Sequence, residues 1–108
     1  MGKFVMVVQS RAKEGRDAEY NEWYDGTHFG EICALPGVKS GRRFEPTPIG
    51  IGDPGLPYLA IYEIEADDPA SIMAEMGKRS ASGEMKPSDS LDAPATVLRI
   101  YKQYEMPA

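Results

Sequence analysis

The alternation of strand-like and helix-like segments is the feature that most restricts how this chain can fold. Four segments have the apolar runs or the two-residue alternation typical of strands, namely residues 4–8, 38–45, 58–65 and 96–104. After the first strand, a stripe of residues recurs at three- and four-residue steps, with His28 on its edge, and predicts a helix over residues 17–35; its members are Tyr20, Trp23, Tyr24, Thr27 and Glu31. A second helix is predicted from Asp67 to about Ala81. The resulting order is β-α-β-β-α-β.

Proline and glycine set the predicted limits of both helices. Pro36-Gly37 ends the first helix, because neither residue continues a helix well. Asp68-Pro69 begins the second, with the aspartate as the cap and the proline in the first turn. Within the second helix, Ile72, Met73 and Met76 are predicted to face inward.

This order predicts an α+β protein with the ferredoxin-like fold, a four-stranded antiparallel sheet with two helices on one face. The length of 108 residues suits one domain, residues 1–108. The first, third and fourth strands are apolar on both faces, yet nothing in the chain is left to cover the second face of the sheet. We therefore expect a homodimer in which two sheets pack together.

The Pro- and Gly-rich segment 46–57 is predicted to be a loop, although it contains a nucleotide-binding pattern. Residues 50–55 read Gly-Ile-Gly-Asp-Pro-Gly and match G-x-G-x-x-G. That motif holds a pyrophosphate only where it follows a strand and opens a helix. Here a strand follows the motif, and Pro54 lacks one of the amides that would be needed. We expect no nucleotide cofactor, and no other cofactor is indicated.

Charge and apolar runs restrict the partners and the compartment. The net charge is −5, and the longest basic runs are Arg42-Arg43 and Lys78-Arg79. Nucleic acid and anionic membrane surfaces are disfavoured, because both are bound through basic patches. The apolar run before Gln9 has five residues, too few for a signal peptide or a membrane span. With a single cysteine and no disulfide, the chain is expected to be cytoplasmic.

The single histidine, His28, is the candidate for proton chemistry. It follows Tyr24 by one helical turn and Asp25 by three residues, so the three side chains are expected to meet on one side of the helix. An imidazole in an aromatic lining would act as a general acid or base on a small molecule. The alternatives are an inert histidine at a helix edge, and aromatic residues Tyr20, Trp23 and Tyr24 that belong to the core.

The sequence gives weaker evidence for a functional role of the other polar residues. Arg42 and Arg43 point to opposite faces of their strand, so one of them could hold a substrate carboxylate, and the alternative is a solvated pair. A metal site is not expected, because His28 and Cys33 do not share a helix face well. Cys33 is interpreted as a small buried hydrophobic residue rather than a nucleophile.

Residues 20–28, Tyr-Asn-Glu-Trp-Tyr-Asp-Gly-Thr-His, together with Leu-Pro-Gly-Val at 35–38 and Arg-Arg-Phe at 42–44, resemble the EthD-like branch of the dimeric α+β barrel superfamily. The detailed match covers residues 4–45. The resemblance implies a ferredoxin-like protomer, a homodimer formed by sheet packing, and an apolar pocket between helices and sheet. His28 matches the family histidine, and Trp23 and Tyr24 match its aromatic pair.

Together these observations favour a cofactor-independent enzyme of small-molecule catabolism or secondary metabolism. His28 would move a proton on an aromatic or polyketide-like substrate, giving a lyase, isomerase or cyclase reaction. Asp25 would orient the imidazole. Tyr20, Trp23 and Tyr24 would contact the substrate, and Arg42 or Arg43 would hold an anionic group.

Three alternatives remain open at this point. A cofactor-free monooxygenase would let a deprotonated substrate react with oxygen. A non-catalytic carrier or accessory protein would bind a small molecule without turnover. A haem protein would use His28 as the axial ligand, although the acidic charge balance does not attract propionates.

Overall fold

Residues 2–107 are described by a computed structural model, and Met1 and Ala108 lie outside the described residues. The four strands are β1 (Gly2–Ser10), β2 (Val38–Phe44), β3 (Tyr58–Ala66) and β4 (Val97–Lys102). They form one antiparallel sheet in the order β2-β3-β1-β4. This confirms the predicted α+β ferredoxin-like fold.

The register of β1 with β3 decides which side chains face the core. Met6 pairs with Tyr62, and the neighbouring pair is Val7 with Ile61. Since side chains alternate across a strand, Met6 and Tyr62 lie on the inner face and are fully buried. Val7 and Ile61 lie on the outer face and are only half-buried. The outer face is therefore partly apolar and uncovered within the protomer, as the sequence predicts.

The first predicted helix is continuous but irregular. It consists of α1 (Asp17–Trp23), a π turn (Tyr24–His28) and α2 (Phe29–Cys33). The backbone stays helical across both junctions, and the N–H of Phe29 donates to the carbonyl of Tyr24, five residues back. Regular helical spacing was expected here, so the π turn corrects that prediction. Such turns insert an extra residue into a helical turn and often occur at functional sites.

The second predicted helix is α3 (Ala70–Ser82), which ends at Gly83 in the left-handed region with φ 83°. Asp68 Oδ1 accepts a hydrogen bond of 2.9 Å from the N–H of Ala70, but the N-cap residue is Pro69, so the helix begins later than the predicted start and Pro69 precedes its first turn. Ile72 is fully buried, but Met73 is 44% exposed, so the inward prediction for Met73 is wrong. Adjacent helical residues point about 100° apart, so Ile72 and Met73 do not share one face.

No helix within residues 2–107 is long and apolar enough to cross a membrane.

Segment 46–57 contains no helix or strand, as predicted, and β3 follows it directly. Ile49 and Ile51 in this segment are almost fully exposed.

Gly41 lies where the inner sheet face meets the first helix. A Cβ at this position would lie 2.6 Å from Cδ1 of Tyr62 and 3.0 Å from Cζ of Phe29. Both contacts are closer than van der Waals packing allows. The absence of a side chain at Gly41 therefore lets the two aromatic rings pack against β2.

We expect Gly41→Ala to lower the free energy of unfolding by about 1–3 kcal/mol, because overpacking forces aromatic rings to move. Gly30→Ala is the matched control, since an added methyl group there meets no atom within 4 Å. That control should be neutral or stabilising by up to about 1 kcal/mol, the helix propensity of alanine over glycine. Urea denaturation measures both effects, and equal destabilisation by the two variants would contradict the packing argument.

Candidate functional site

His28 ends the π turn and lies between two aromatic rings. Its imidazole stacks on the indole of Trp23, with centroids 4.5 Å apart and planes 18° apart. Tyr24 meets the imidazole edge-on at 5.0 Å and 85°. Trp23 precedes His28 by five residues, the spacing of a π turn, whereas the sequence predicted a partner at four. The irregular turn thus makes Trp23 the stacking partner of the histidine.

Two adjoining cavities meet at His28. The outer one has a volume of about 190 Å³ and the inner one about 70 Å³. Four side chains line both cavities: Trp23, His28, Met76 and Leu91. The outer cavity is completed by Glu31 and by the segment 85–88, and the inner one extends towards β1 and β4. A proton-active side chain therefore stands at the junction of two mainly apolar spaces.

Burial shifts the acid–base behaviour of His28. The side chain is 23% exposed. Removal of water around the imidazole lowers its pKa, and a contact with Glu31 opposes part of that shift. The net pKa is below the ordinary value, so His28 is neutral at neutral pH and can accept a proton.

Lys86 closes the outer cavity through its backbone rather than its side chain. Its carbonyl accepts a 2.8 Å hydrogen bond from Nε1 of Trp23. Its N–H donates to Oε2 of Glu31, also at 2.8 Å. The segment after α3 is thus bound through the backbone of one residue, Lys86, to two residues of the first helix. No sequence motif indicated this contact, because the segment is polar and interrupted by prolines.

Glu31 is the carboxylate beside His28, and sequence reasoning did not select it. Its Oε1 lies 3.5 Å from Nδ1 of His28, and its side chain is 15% exposed. Asp25, expected in this role, is 67% exposed and forms an ion pair with Arg43. The expected contact of Asp25 with His28 is therefore corrected. Both carboxylates lie three residues from the histidine, but the helical stripe on whose edge His28 lies includes Glu31 and not Asp25, and that was the signal for Glu31.

Arg43 points inward, as one of the two arginines was expected to, but it is surrounded by protein groups. Its guanidinium lies 4.3 Å from the ring centroid of Tyr24, and the rings of Tyr20 and Tyr58 lie within 5.8 Å. It donates to Asp25, and also to Asn21 at 2.8 Å. These contacts join β2 to the first helix. Arg43 does not line either cavity at His28.

Tyr20 and Tyr24 differ in their relation to the cavities. Tyr20 is fully buried, its hydroxyl bonded to Ser10, so it belongs to the core and lines neither cavity. Tyr24 lines the inner cavity, and its hydroxyl shares a 2.7 Å hydrogen bond with that of Tyr62. Burial raises the pKa of Tyr24 to about 12 and also raises that of Tyr62. Both phenols therefore stay protonated at neutral pH.

The remaining candidate residues lie away from the imidazole. Arg42 is exposed, with its guanidinium 5.9 Å from the centroid of the Phe44 ring. Burial raises the pKa of the Cys33 thiol, which disfavours the reactive thiolate.

Within the described residues, no three His, Cys, Asp or Glu side chains form a metal-binding group. A larger cavity of about 530 Å³ lies near Lys3, Lys39 and Lys102, without a histidine.

Comparison with known proteins gives fold neighbours. No family model matches the chain, and no curated protein sequence matches it. An EthD family protein from Bacillus halodurans superposes with a TM-score of 0.60 at 20% identity, over 94% of this chain and 99% of that one. A dimeric ferredoxin-like protein of unknown function from Jannaschia sp. gives 0.65 at 14% identity, over 94% and 100%. A proposed monooxygenase from Shewanella loihica gives 0.63 at 14%, over 97% of both chains.

The chain has the fold of the EthD-like proteins. The resemblance at residues 20–28 and the superposition over nearly the whole chain agree on this point. At these identities the similarity concerns the EthD-like fold alone. The activity has to be argued from the groups around His28.

We expect the stability of this EthD-like fold to depend on pH through His28. Burial lowers the pKa of His28 below about 6.5, its value in the unfolded chain. The unfolded state therefore binds more protons once the pH falls below that value, and stability is lost as the pH decreases. His28→Gln removes this titration. The free energy of unfolding of the wild type, relative to the variant, should be constant above about pH 7.5 and decrease towards about pH 5.

Urea denaturation at a series of pH values measures this difference directly. The comparison with His28→Gln cancels the contributions of carboxylates far from the site. A difference that stays constant, or that grows as the pH falls, would contradict the assignment of a buried neutral imidazole.

Proposed function

We propose that the chain is a cofactor-independent enzyme in which His28 transfers a proton on a small aromatic or polyketide-like molecule. The reaction class is that of a lyase, isomerase or cyclase. The observation that carries the proposal is the position of a neutral imidazole at the junction of two cavities, stacked on Trp23. A neutral imidazole is unprotonated at neutral pH and can therefore accept a proton, as a general base must.

The size and lining of the cavities favour a neutral, ring-sized molecule. A cavity of about 150 Å³ accommodates a benzene ring, and the outer cavity is about 190 Å³. Met76, Met85 and Leu91 provide apolar surface, and Ser80 and Ser88 are polar. Because Arg43 is engaged by Asp25, Asn21 and three tyrosine rings, the proposal does not include an arginine clamp for an anion. A porphyrin is far larger than this space, so haem binding is not proposed.

The catalytic hypothesis is tested by exchange of carbon-bound hydrogen with solvent. 2-Tetralone, a bicyclic ketone with acidic α-hydrogens, is incubated with the protein in D₂O, and loss of its α-proton signal is followed by NMR. We expect the wild type to exceed His28→Gln by about a hundredfold in exchange rate, the usual contribution of a positioned base.

Glu22→Gln is the matched control, since Glu22 is exposed on the same helix and lines neither cavity. This variant should exchange at the wild-type rate. Equal rates for the wild type and His28→Gln would refute the catalytic role. Saturable shifts of the Trp23 indole resonance without any exchange would instead identify a non-catalytic binding protein.

A cofactor-free monooxygenase is the second candidate function. It is favoured by the superposition on a proposed monooxygenase and by the same deprotonating imidazole. In this reaction the deprotonated substrate would donate electrons to dissolved oxygen. An oxygen electrode distinguishes the two candidates, because proton transfer alone consumes no oxygen.

We also propose that two protomers, each a single domain, form a homodimer through the outer sheet face. The support is the apolar content of that face, where Val7 pairs with Ile61 and Val97 is 45% exposed. A fold neighbour is described as dimeric. A second copy would cover side chains that the protomer leaves in contact with water.

We expect the wild type to sediment at twice the protomer mass and Ile61→Lys to sediment as a monomer. Arg42 pairs directly with Ile61, so a lysine at 61 would add a like charge to the face as well as remove apolar surface. Met73→Lys changes an exposed residue of α3 and should remain dimeric. A monomeric wild type, or a dimer unaffected by Ile61→Lys, would contradict this interface.

A further inference from the structure

Resting on the proposed function, we infer that Glu31 is a positioning residue that holds the proton of neutral His28 on Nδ1. The Nε2 lone pair is then the group that accepts the proton of the substrate. The stripe that predicts the first helix includes Glu31 and not Asp25, but the role proposed for Glu31 depends on the contacts around the carboxylate.

The two oxygens of Glu31 have different surroundings. Oε2 accepts a 2.8 Å hydrogen bond from the N–H of Lys86, which fixes the rotation of the carboxylate. Oε1 is buried and makes no hydrogen bond of normal geometry within the described residues. The ring nitrogen that lies near Oε1 is Nδ1 of His28, and the two atoms are 3.5 Å apart. The carboxylate is thus held with one oxygen towards the imidazole.

A buried carboxylate oxygen requires a donor, because leaving it unpaired in a water-poor site is costly. A proton on Nδ1 would face Oε1 at 3.5 Å and attract it electrostatically, whereas an unprotonated Nδ1 would place two lone pairs against each other. Neutral imidazole carries one proton on its two nitrogens. With Nδ1 protonated, Nε2 is left as the acceptor.

This arrangement accounts for the proton at each stage of the reaction. A C–H bond of the substrate breaks, its electron pair stays on the substrate as an enolate, and the proton forms an N–H bond at Nε2. The resulting imidazolium has protons on both nitrogens and a net positive charge. The Glu31 carboxylate stabilises that charge, and the proton returns from Nε2 to another atom of the substrate.

Few other charged groups could replace Glu31. The ionisable side chains lining the two cavities are Tyr24, His28, Glu31 and Lys86. Tyr24 is held neutral by its raised pKa, and Lys86 has the wrong charge to stabilise an imidazolium. Asp25 is neutralised by Arg43. Glu31 is therefore the one negative group among the residues that line these cavities.

The test is ¹⁵N NMR of the imidazole in the ligand-free protein, which is unambiguous because the chain contains one histidine. In the wild type at high pH we expect a protonated Nδ1 and an unprotonated Nε2. Glu31→Gln should reverse this tautomer. Its amide oxygen would keep the bond to the N–H of Lys86, so its NH₂ group would face Nδ1 and require a lone pair there.

Glu31→Gln should also lower the pKa of His28 by about one unit, because the imidazolium loses its negative neighbour. Asp25→Asn is the matched control and should change neither the tautomer nor the pKa. The pKa and tautomer would not respond in this way if Glu31 only supported the fold.

An Nε2-protonated imidazole in the wild type would overturn the inference, and this measurement needs no variant. The same conclusion would follow if Glu31→Gln kept the wild-type tautomer and pKa, or if Asp25→Asn changed them. Because these spectra contain no ligand, they are independent of 2-tetralone exchange. A wild type with the expected tautomer but no exchange would refute the proposed function without refuting the position of the proton.

Discussion

The hydrogen bond from the N–H of Phe29 to the carbonyl of Tyr24 decides how the first helix presents its side chains. This hydrogen bond spans five residues instead of four. Side chains after the π turn therefore point in different directions around the helix axis than they would in a regular α-helix. Trp23 and His28 consequently stack, and Glu31 rather than Asp25 lies beside the imidazole. One irregular turn thus determines which groups form the site.

The position of that helix on the sheet depends on polar contacts within an otherwise apolar layer. Tyr24 and Tyr62 share a buried hydroxyl–hydroxyl hydrogen bond. Arg43 on β2 lies over the ring of Tyr24 and donates to Asp25. A buried hydroxyl or guanidinium that lost its partner would carry a desolvation cost of about 1–3 kcal/mol or more. These contacts therefore hold the aromatic wall of the site in one arrangement.

The cavities exist because a segment without regular structure crosses the open side of the first helix. Lys86 bonds through its carbonyl to Trp23 and through its N–H to Glu31. Met85, in the same segment, is buried. The backbone N–H and carbonyl of Lys86 thereby pair with polar groups of the helix, while apolar side chains enclose the space. Trp23 and Glu31 thus both contact the segment that closes the cavity and lie beside His28.

Much of the fold was determined by the sequence alone, because strand and helix periodicities and the Pro-Gly boundaries are local properties of the chain. Those patterns predicted the β-α-β-β-α-β order, the first helix and the aromatic surroundings of His28. The tertiary structure decided which carboxylate lies beside that imidazole. Asp25 and Glu31 are equally spaced from His28 in the sequence, and the π turn together with the distant Arg43 and Lys86 separates their roles. Contacts between residues far apart in the chain have no periodicity from which they could be predicted.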